Sequence, residues 1–112
     1  MSSAEVVVIR GGQVVSTSGA TAADVIVEGE RIAAVVAPGS VAALAAARDA
    51  RVIDADGCYV VPGGVDVHVH LQLPMSPEAT SSDTFATGTV AAAWGGTTTV
   101  IDLDRKSTRL NS

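Results

Sequence analysis

Short runs of valine and isoleucine alternate with glycine, proline and aspartate over the first 62 residues of the chain. This spacing is typical of several short antiparallel strands. Between the third and fourth runs, Glu28-Gly29-Glu30 predicts a tight hairpin, because Gly29 can adopt the positive φ that such a turn requires. The predicted strands are residues 6–10, 14–17, 24–27, 31–36, 51–54 and 59–61.

One helix is predicted within this strand-rich region. Residues 41–47 are rich in alanine and follow the break at Pro38-Gly39-Ser40, where the Ser40 hydroxyl can cap a helix. We expect this helix to link two strands.

The pattern changes after Pro62 to strand, loop, helix and strand, which is the order of a parallel α/β unit. Residues 81–83 supply capping oxygens ahead of the helix, and the glycines at 95–96 end it. The β-branched run after these glycines suits a buried parallel strand. The predicted elements are a strand at 65–71, a helix at 84–94 and a strand at 97–103.

Composition limits what the chain can do by itself. At 112 residues it is too short for a whole barrel enzyme, which needs about 250 residues. A hydrophobic content of 47% with 17% charged residues indicates a globular protein. The net charge of -5 gives no basic face for nucleic acid. With no basic leader, no membrane-spanning apolar run and a single cysteine, we expect a cytoplasmic protein that binds no membrane.

The last eight residues differ in amino-acid composition from the rest of the chain. They contain Lys106, the only lysine in the chain, and abandon the Ala/Val/Gly/Thr composition that precedes them. We expect three segments: a partial β-sandwich over residues 1–61, the start of a metal-dependent hydrolase barrel over 62–104, and a non-native tail over 105–112. A genuine polar tail is the alternative.

Two histidines, His68 and His70, are the candidate metal ligands. Successive strand residues point to opposite faces, so both imidazoles and the Asp66 carboxylate project from one side. Two imidazoles at i and i+2 can share one metal ion, but a catalytic site needs further ligands. Asp66 is either a group that orients a ligand ring or an ordinary polar residue.

The sequence around these histidines resembles cyclic amidohydrolases, and most closely the dihydropyrimidinase and D-hydantoinase family. Residues 61–71, VPGGVDVHVHL, look like the opening of the barrel in that family. Residues 82–99, SDTFATGTVAAAWGGTTT, are similar to its next helix and strand, and residues 23–29 and 31–35 resemble its sandwich strands. The resemblance covers about residues 5 to 103.

The resemblance implies a fold and a chemistry. The fold is a small β-sandwich beside a (β/α)8 TIM-like barrel, of which this chain holds the N-terminal part. The centre has two divalent metals, usually zinc, bridged by a carboxylated lysine, and His68 and His70 match the ligands of the more buried metal. A hydroxide between the metals attacks the ring amide carbon, and an aspartate on the last strand handles the proton. The lysine, two further histidines and that aspartate belong to later strands, so no catalytic residue other than these ligands is expected here. The parent is expected to be a homo-oligomer, a dimer or a tetramer.

The residues after His70 favour one subclass. Dihydroorotases resemble His-Leu-Arg-Glu-Pro here and allantoinases tend to carry Asn-Glu-Pro, whereas this chain has His70-Leu-Gln-Leu-Pro74. Neutral Gln72 cannot pair with a substrate carboxylate, which favours an uncharged ring as the small-molecule substrate. Leu73 and Met75 either line an apolar pocket or are ordinary packing residues.

Two other functions are compatible with the resemblance. One is a non-catalytic relative of the same fold, against which the two histidines argue. The other is a truncated chain without function, since an incomplete barrel exposes unpaired strand edges.

For Asp102, at the end of the last predicted strand, we expect a structural hydrogen bond.

Overall fold

The computed structural model describes residues 4–42 and 49–103, and the chain divides into two compact units, Met1–Pro62 and Gly63–Ser112. Most of the helix predicted at 41–47 and all of the tail predicted at 105–112 lie outside the described residues.

The first unit is a five-stranded sheet. The spatial order is β3-β2-β1-β4, and β5 also pairs with β1. Its strands are β1 (Val6–Ser16), β2 (Gly19–Glu28), β3 (Arg31–Val36), β4 (Arg51–Asp54) and β5 (Tyr59–Val60).

The hairpin between β2 and β3 confirms the sequence prediction. Glu28 pairs with Arg31 across the turn, and Gly29 has a φ of 58°. The prediction of antiparallel strands throughout was wrong, since β4 and β5 both run parallel to β1. The physical reason is the segment 37–50, which is long enough to return the chain to the end of the sheet where β1 begins.

Strand β1 is longer than the pattern predicted. The runs at 6–10 and 14–17, predicted as two strands, form one strand with a register shift at Gly11 and Gly12. Gly11 has a φ of 78°, a conformation that a side chain would oppose. The two glycines therefore bend a continuous strand.

One carboxylate lies among the apolar residues of this unit. Asp24 is 1% exposed, and its two oxygens accept hydrogen bonds from Gly11 N at 2.9 Å and Gly39 N at 2.8 Å. Asp24 thereby fixes both the bend in β1 and the turn after β3. The apolar core beside it comprises Val6, Val8, Ile26 and Val41, with Ala34, Val36 and Ala50 packed against them.

The second unit holds a strand-helix-strand arrangement and a small hairpin. Strands β6 and β9 pair in parallel, as the sequence predicted. The hairpin of β7 and β8 lies where the sequence predicted only a loop. The elements are β6 (Gly64–Val69), β7 (Pro74–Ser76), β8 (Ala79–Thr80), α1 (Phe85–Trp94) and β9 (Thr97–Asp102).

Helix α1 begins one residue later than predicted and has a different cap. Thr84 is the N-cap: its hydroxyl accepts from Thr87 N, and the Thr87 hydroxyl accepts from Thr84 N. The expected cap at 81–83 was wrong, because Thr84 has the extended backbone that an N-cap requires. The glycines at 95–96 end the helix as predicted.

Large apolar side chains of the second unit are exposed in the part of the chain that the structure describes. Val67 of β6 is 62% exposed and Trp94 of α1 is 89% exposed. The large apolar side chains of α1, Phe85, Val90 and Trp94, are therefore uncovered in this unit. Across both units the described fold consists mainly of β-strands.

Candidate metal site

His68 and His70 lie together at the end of β6. Their Nε2 atoms are 3.2 Å apart, and the ring planes meet at 84°. The i and i+2 spacing puts both rings on one side of the chain, as the sequence predicted. Asp66 pairs with Val100 and Val69 pairs with Asp102, so β6 carries one extra residue over this stretch, between Asp66 and Val69, where His68 lies. Such irregularities re-aim side chains.

The His70 ring has a second contact that fixes its chemistry. Its Nδ1 atom lies 3.1 Å from the carbonyl oxygen of Leu103, which follows β9. Because a carbonyl oxygen only accepts, this contact is a hydrogen bond when His70 carries a proton on Nδ1, and in that neutral tautomer the Nε2 lone pair faces His68. Histidines that bind metals are commonly held this way through the other ring nitrogen.

The separation of the two Nε2 atoms fits two ligands of one metal ion. Zinc binds histidine nitrogen at about 2.0–2.1 Å, so nitrogens 3.2 Å apart subtend about 100° at a shared ion, close to the tetrahedral angle. The donor atoms are also of a suitable type, since imidazole binds zinc, copper, iron and nickel. The pair therefore fits a divalent metal.

Two ligands do not complete a catalytic centre. Within residues 4–42 and 49–103 no group of three or more His, Cys, Asp or Glu side chains could hold a metal ion. His68 and His70 are also the only two histidines of the sequence.

Asp66 contacts the backbone of a candidate ligand. Its Oδ1 atom accepts a hydrogen bond from His68 N at 3.1 Å. This bond supports the strand at His68.

The three residues proposed from sequence to line a substrate pocket differ in their surroundings. Gln72 has a φ of 51°, and its Oε1 accepts from Phe85 N, at the start of α1, at 3.3 Å. Its own N–H donates to Asp83 O at 2.9 Å. Leu73 is buried, and Met75 is exposed on β7. Gln72 therefore joins the end of β6 to the start of α1, a role that no local sequence signal indicated.

Asp102 has the structural hydrogen bond that we expected. Its Oδ1 accepts from Leu71 N at 2.9 Å.

Comparison with known proteins gives a family match and individual relatives that agree with one another. Residues 59–109 match the Amidohydrolase family. A D-hydantoinase of Streptomyces coelicolor is 53% identical over 95 residues, which are 85% of this chain and 20% of the relative. The chain thus spans about a fifth of the length of this relative.

Solved structures agree with the sequence matches. A dihydropyrimidinase from Brevibacillus agri superposes with a TM-score of 0.73 at 43% identity, covering 87% of this chain and 20% of that protein. A D-hydantoinase from a Bacillus species gives 0.75 at 45% identity, covering 93% and 22%. Separately, no helix among the described residues is long and apolar enough to cross a membrane.

Proposed function

We propose that this chain, which is related to the D-hydantoinases and dihydropyrimidinases of the amidohydrolases, supplies the first two metal ligands of a cyclic-amide hydrolase. The observation that carries the proposal is the convergence of the His68 and His70 Nε2 atoms at 3.2 Å, with His70 Nδ1 lying 3.1 Å from Leu103 O. That arrangement brings the two Nε2 atoms to one point beside the strand.

The residues of this chain have defined tasks in such a reaction. His68 and His70 bind the metal, and the Asp66 carboxylate supports the strand that carries His68. The amidohydrolase relationship implies divalent metal dependence, and we propose zinc as the metal. When bound, a divalent metal supplies a Lewis acid and an activated water. The other ligands and the group that handles the proton come from residues beyond this chain's two histidines.

We propose an uncharged cyclic amide, a dihydropyrimidine or hydantoin ring, as the substrate. Gln72 is neutral, and its amide oxygen is engaged by Phe85 N, so this position offers no cation to a substrate carboxylate. Dihydroorotase and allantoinase activities are the alternatives. We further propose that the strand-helix-strand arrangement of β6, α1 and β9 opens a (β/α)8 barrel in a cytoplasmic homo-oligomer.

A chimera tests the proposed function. Residues 4–103 would replace the matching segment of the Streptomyces coelicolor D-hydantoinase, to which this chain is 53% identical. We expect the chimera to contain metal and to hydrolyse hydantoin and dihydrouracil. His68→Ala in the chimera should lower activity and metal affinity at least 10–100-fold, because changing residues that only orient a metal ligand already costs that much. Equal activity and metal content in the His68→Ala chimera would refute the proposal.

A further inference from the structure

The ends of β6 and β9 are joined by three hydrogen bonds that surround His70. Leu103 N donates to Val69 O at 3.0 Å, and His70 Nδ1 lies 3.1 Å from Leu103 O. Leu71 N donates to Asp102 Oδ1 at 2.9 Å. His70 therefore lies between Val69 and Leu71, each of which is hydrogen-bonded to the end of β9. The acceptor for Leu71 N is the Asp102 carboxylate.

We propose that Asp102 is a positioning residue for the metal ligand His70. Its carboxylate fixes the backbone at Leu71, which keeps the His70 Nδ1–H on Leu103 O and the Nε2 lone pair towards His68. This inference rests on the proposed function in one respect, namely that the histidines bind a metal. The hydrogen-bond arrangement itself exists without metal.

The backbone alone does not hold this segment. The last paired residues of the two strands are Val69 and Asp102, so His70 and Leu71 lie past the end of the ladder. The chain then turns at Gln72, whose φ of 51° is uncommon for a side-chain-bearing residue. Without Asp102, the Leu71 N–H would have no acceptor in the described unit, and rotation at residues 70–71 would move the imidazole.

A carboxylate is well suited to this task. A hydrogen bond from a backbone N–H to an ionised oxygen is stronger than one between neutral groups. Asp102 is also half-buried, which reduces competition from water. Leu103, whose carbonyl oxygen contacts the His70 ring, directly follows Asp102 in the chain.

Before metal binds, the His68 and His70 rings should each have a defined tautomer. With its proton on Nδ1, His70 accepts through Nε2 from the Nε2–H of His68 across 3.2 Å. His68 must then carry its proton on Nε2. The two rings therefore differ in tautomer before metal binds, and the difference depends on the Leu103 contact.

Nitrogen-15 NMR of the imidazole rings in the metal-free 112-residue chain tests this assignment. In the unsubstituted chain we expect the Nδ1–H form at His70 and the Nε2–H form at His68. Asp102→Ala should give a tautomer mixture at His70, whereas Asp102→Asn should retain the Nδ1–H form because its amide oxygen still accepts. Asp54→Ala is the matched control, since the Asp54 carboxylate also accepts a backbone N–H, from Asp56 at 3.1 Å, in the other unit.

Zinc titration of the same four proteins supplies the second readout. We expect Asp102→Ala to weaken zinc binding about 10–100-fold, and Asp102→Asn and Asp54→Ala to bind as the unsubstituted chain does. A folded Asp102→Ala protein with the His70 Nδ1–H tautomer and unchanged zinc affinity would overturn the proposal.

Hydrogen exchange of the unsubstituted chain tests the Asp102 contact even if Asp102→Ala does not fold. In the unsubstituted chain the Leu71 amide should be protected; exchange at the rate of a free amide would refute the anchor. Failure of the proposed function gives a different result, namely zinc binding that His68→Ala leaves unchanged. In that event the tautomer measurements still decide the role of Asp102.

Discussion

The ring of His70 is held by the carbonyl oxygen of Leu103, 3.1 Å from Nδ1 and 33 residues later in the chain. A candidate metal ligand on one strand is therefore oriented by the end of the next parallel strand. Metal affinity should consequently depend on the folding of β6, α1 and β9 together. A substitution that disturbs the contact between the ends of β6 and β9 should therefore change the orientation of the His70 ring.

Replacing either histidine should remove metal binding while the fold survives. His68→Ala and His70→Ala each delete one nitrogen ligand from an exposed position in β6 or just after it, so little packing is lost. We expect zinc affinity of the 112-residue chain to fall at least 10–100-fold in both variants, with an unchanged circular dichroism spectrum. Asp56→Ala, an exposed acidic residue of the first unit, is the control. Retained affinity in His68→Ala would show that the pair is not the site.

The 112-residue chain should not hydrolyse hydantoin or dihydrouracil with any added divalent metal. Its sequence contains two histidines, which leaves a hydrolytic centre short of ligands and of a proton-transfer group. The measurement is ring opening followed by chromatography, with the His68→Ala chain as the background. Metal-dependent turnover above that background would contradict the prediction.

Removing the buried carboxylate should destabilise the first unit. Asp24→Ala leaves the N–H groups of Gly11 and Gly39 without their acceptor, and hydrogen bonds to charged groups contribute about 1.5–3 kcal/mol each. We expect a loss of about 3–6 kcal/mol in the free energy of unfolding, measured by urea denaturation. Asp24→Asn should lose less, since one oxygen remains. Asp56→Ala should stay within about 0.5 kcal/mol, and a similar value for Asp24→Ala would refute the bracing role.

A methyl group at Gly63 should disrupt the start of the second unit. A Cβ added there would lie 2.8 Å from Thr98 Cβ and closer still to both outer atoms of the Thr98 side chain. We expect Gly63→Ala to cost about 1–3 kcal/mol in the free energy of unfolding, as overpacking commonly does. Adding Thr98→Ala removes the outer atoms, so the double variant should recover part of that loss in a double-mutant cycle. Purely additive losses would show that the two sites do not touch.

Gln72 should matter to the start of α1. Gln72→Ala removes the acceptor of Phe85 N and leaves a side chain at a φ of 51°, whereas Gln72→Gly removes the acceptor but relieves the strained backbone. We expect faster hydrogen exchange at the Phe85 amide in both variants, and a larger loss of stability in Gln72→Ala. Unchanged exchange at Phe85 would show that the side-chain bond does not form in solution.

The sequence by itself determined the features that depend on local periodicity. Strands β3 and β4 have the predicted bounds, and the order of β6, α1 and β9 follows from the change in pattern after Pro62. The placement of His68 and His70 on one face requires only that strand side chains alternate. The relationship to hydantoinases was also readable, because the motifs that carry it are contiguous.

Tertiary structure alone decided how these elements meet. The parallel pairing of β4 and β5 with β1 depends on where the chain returns, and the contacts of Asp24 join residues 13 and 15 positions away. The bonds from His70 to Leu103 and from Leu71 to Asp102 span more than 30 residues. A local pattern specifies which face a side chain occupies, but an acceptor that arrives from another strand is fixed by packing and register, which no short stretch of sequence contains.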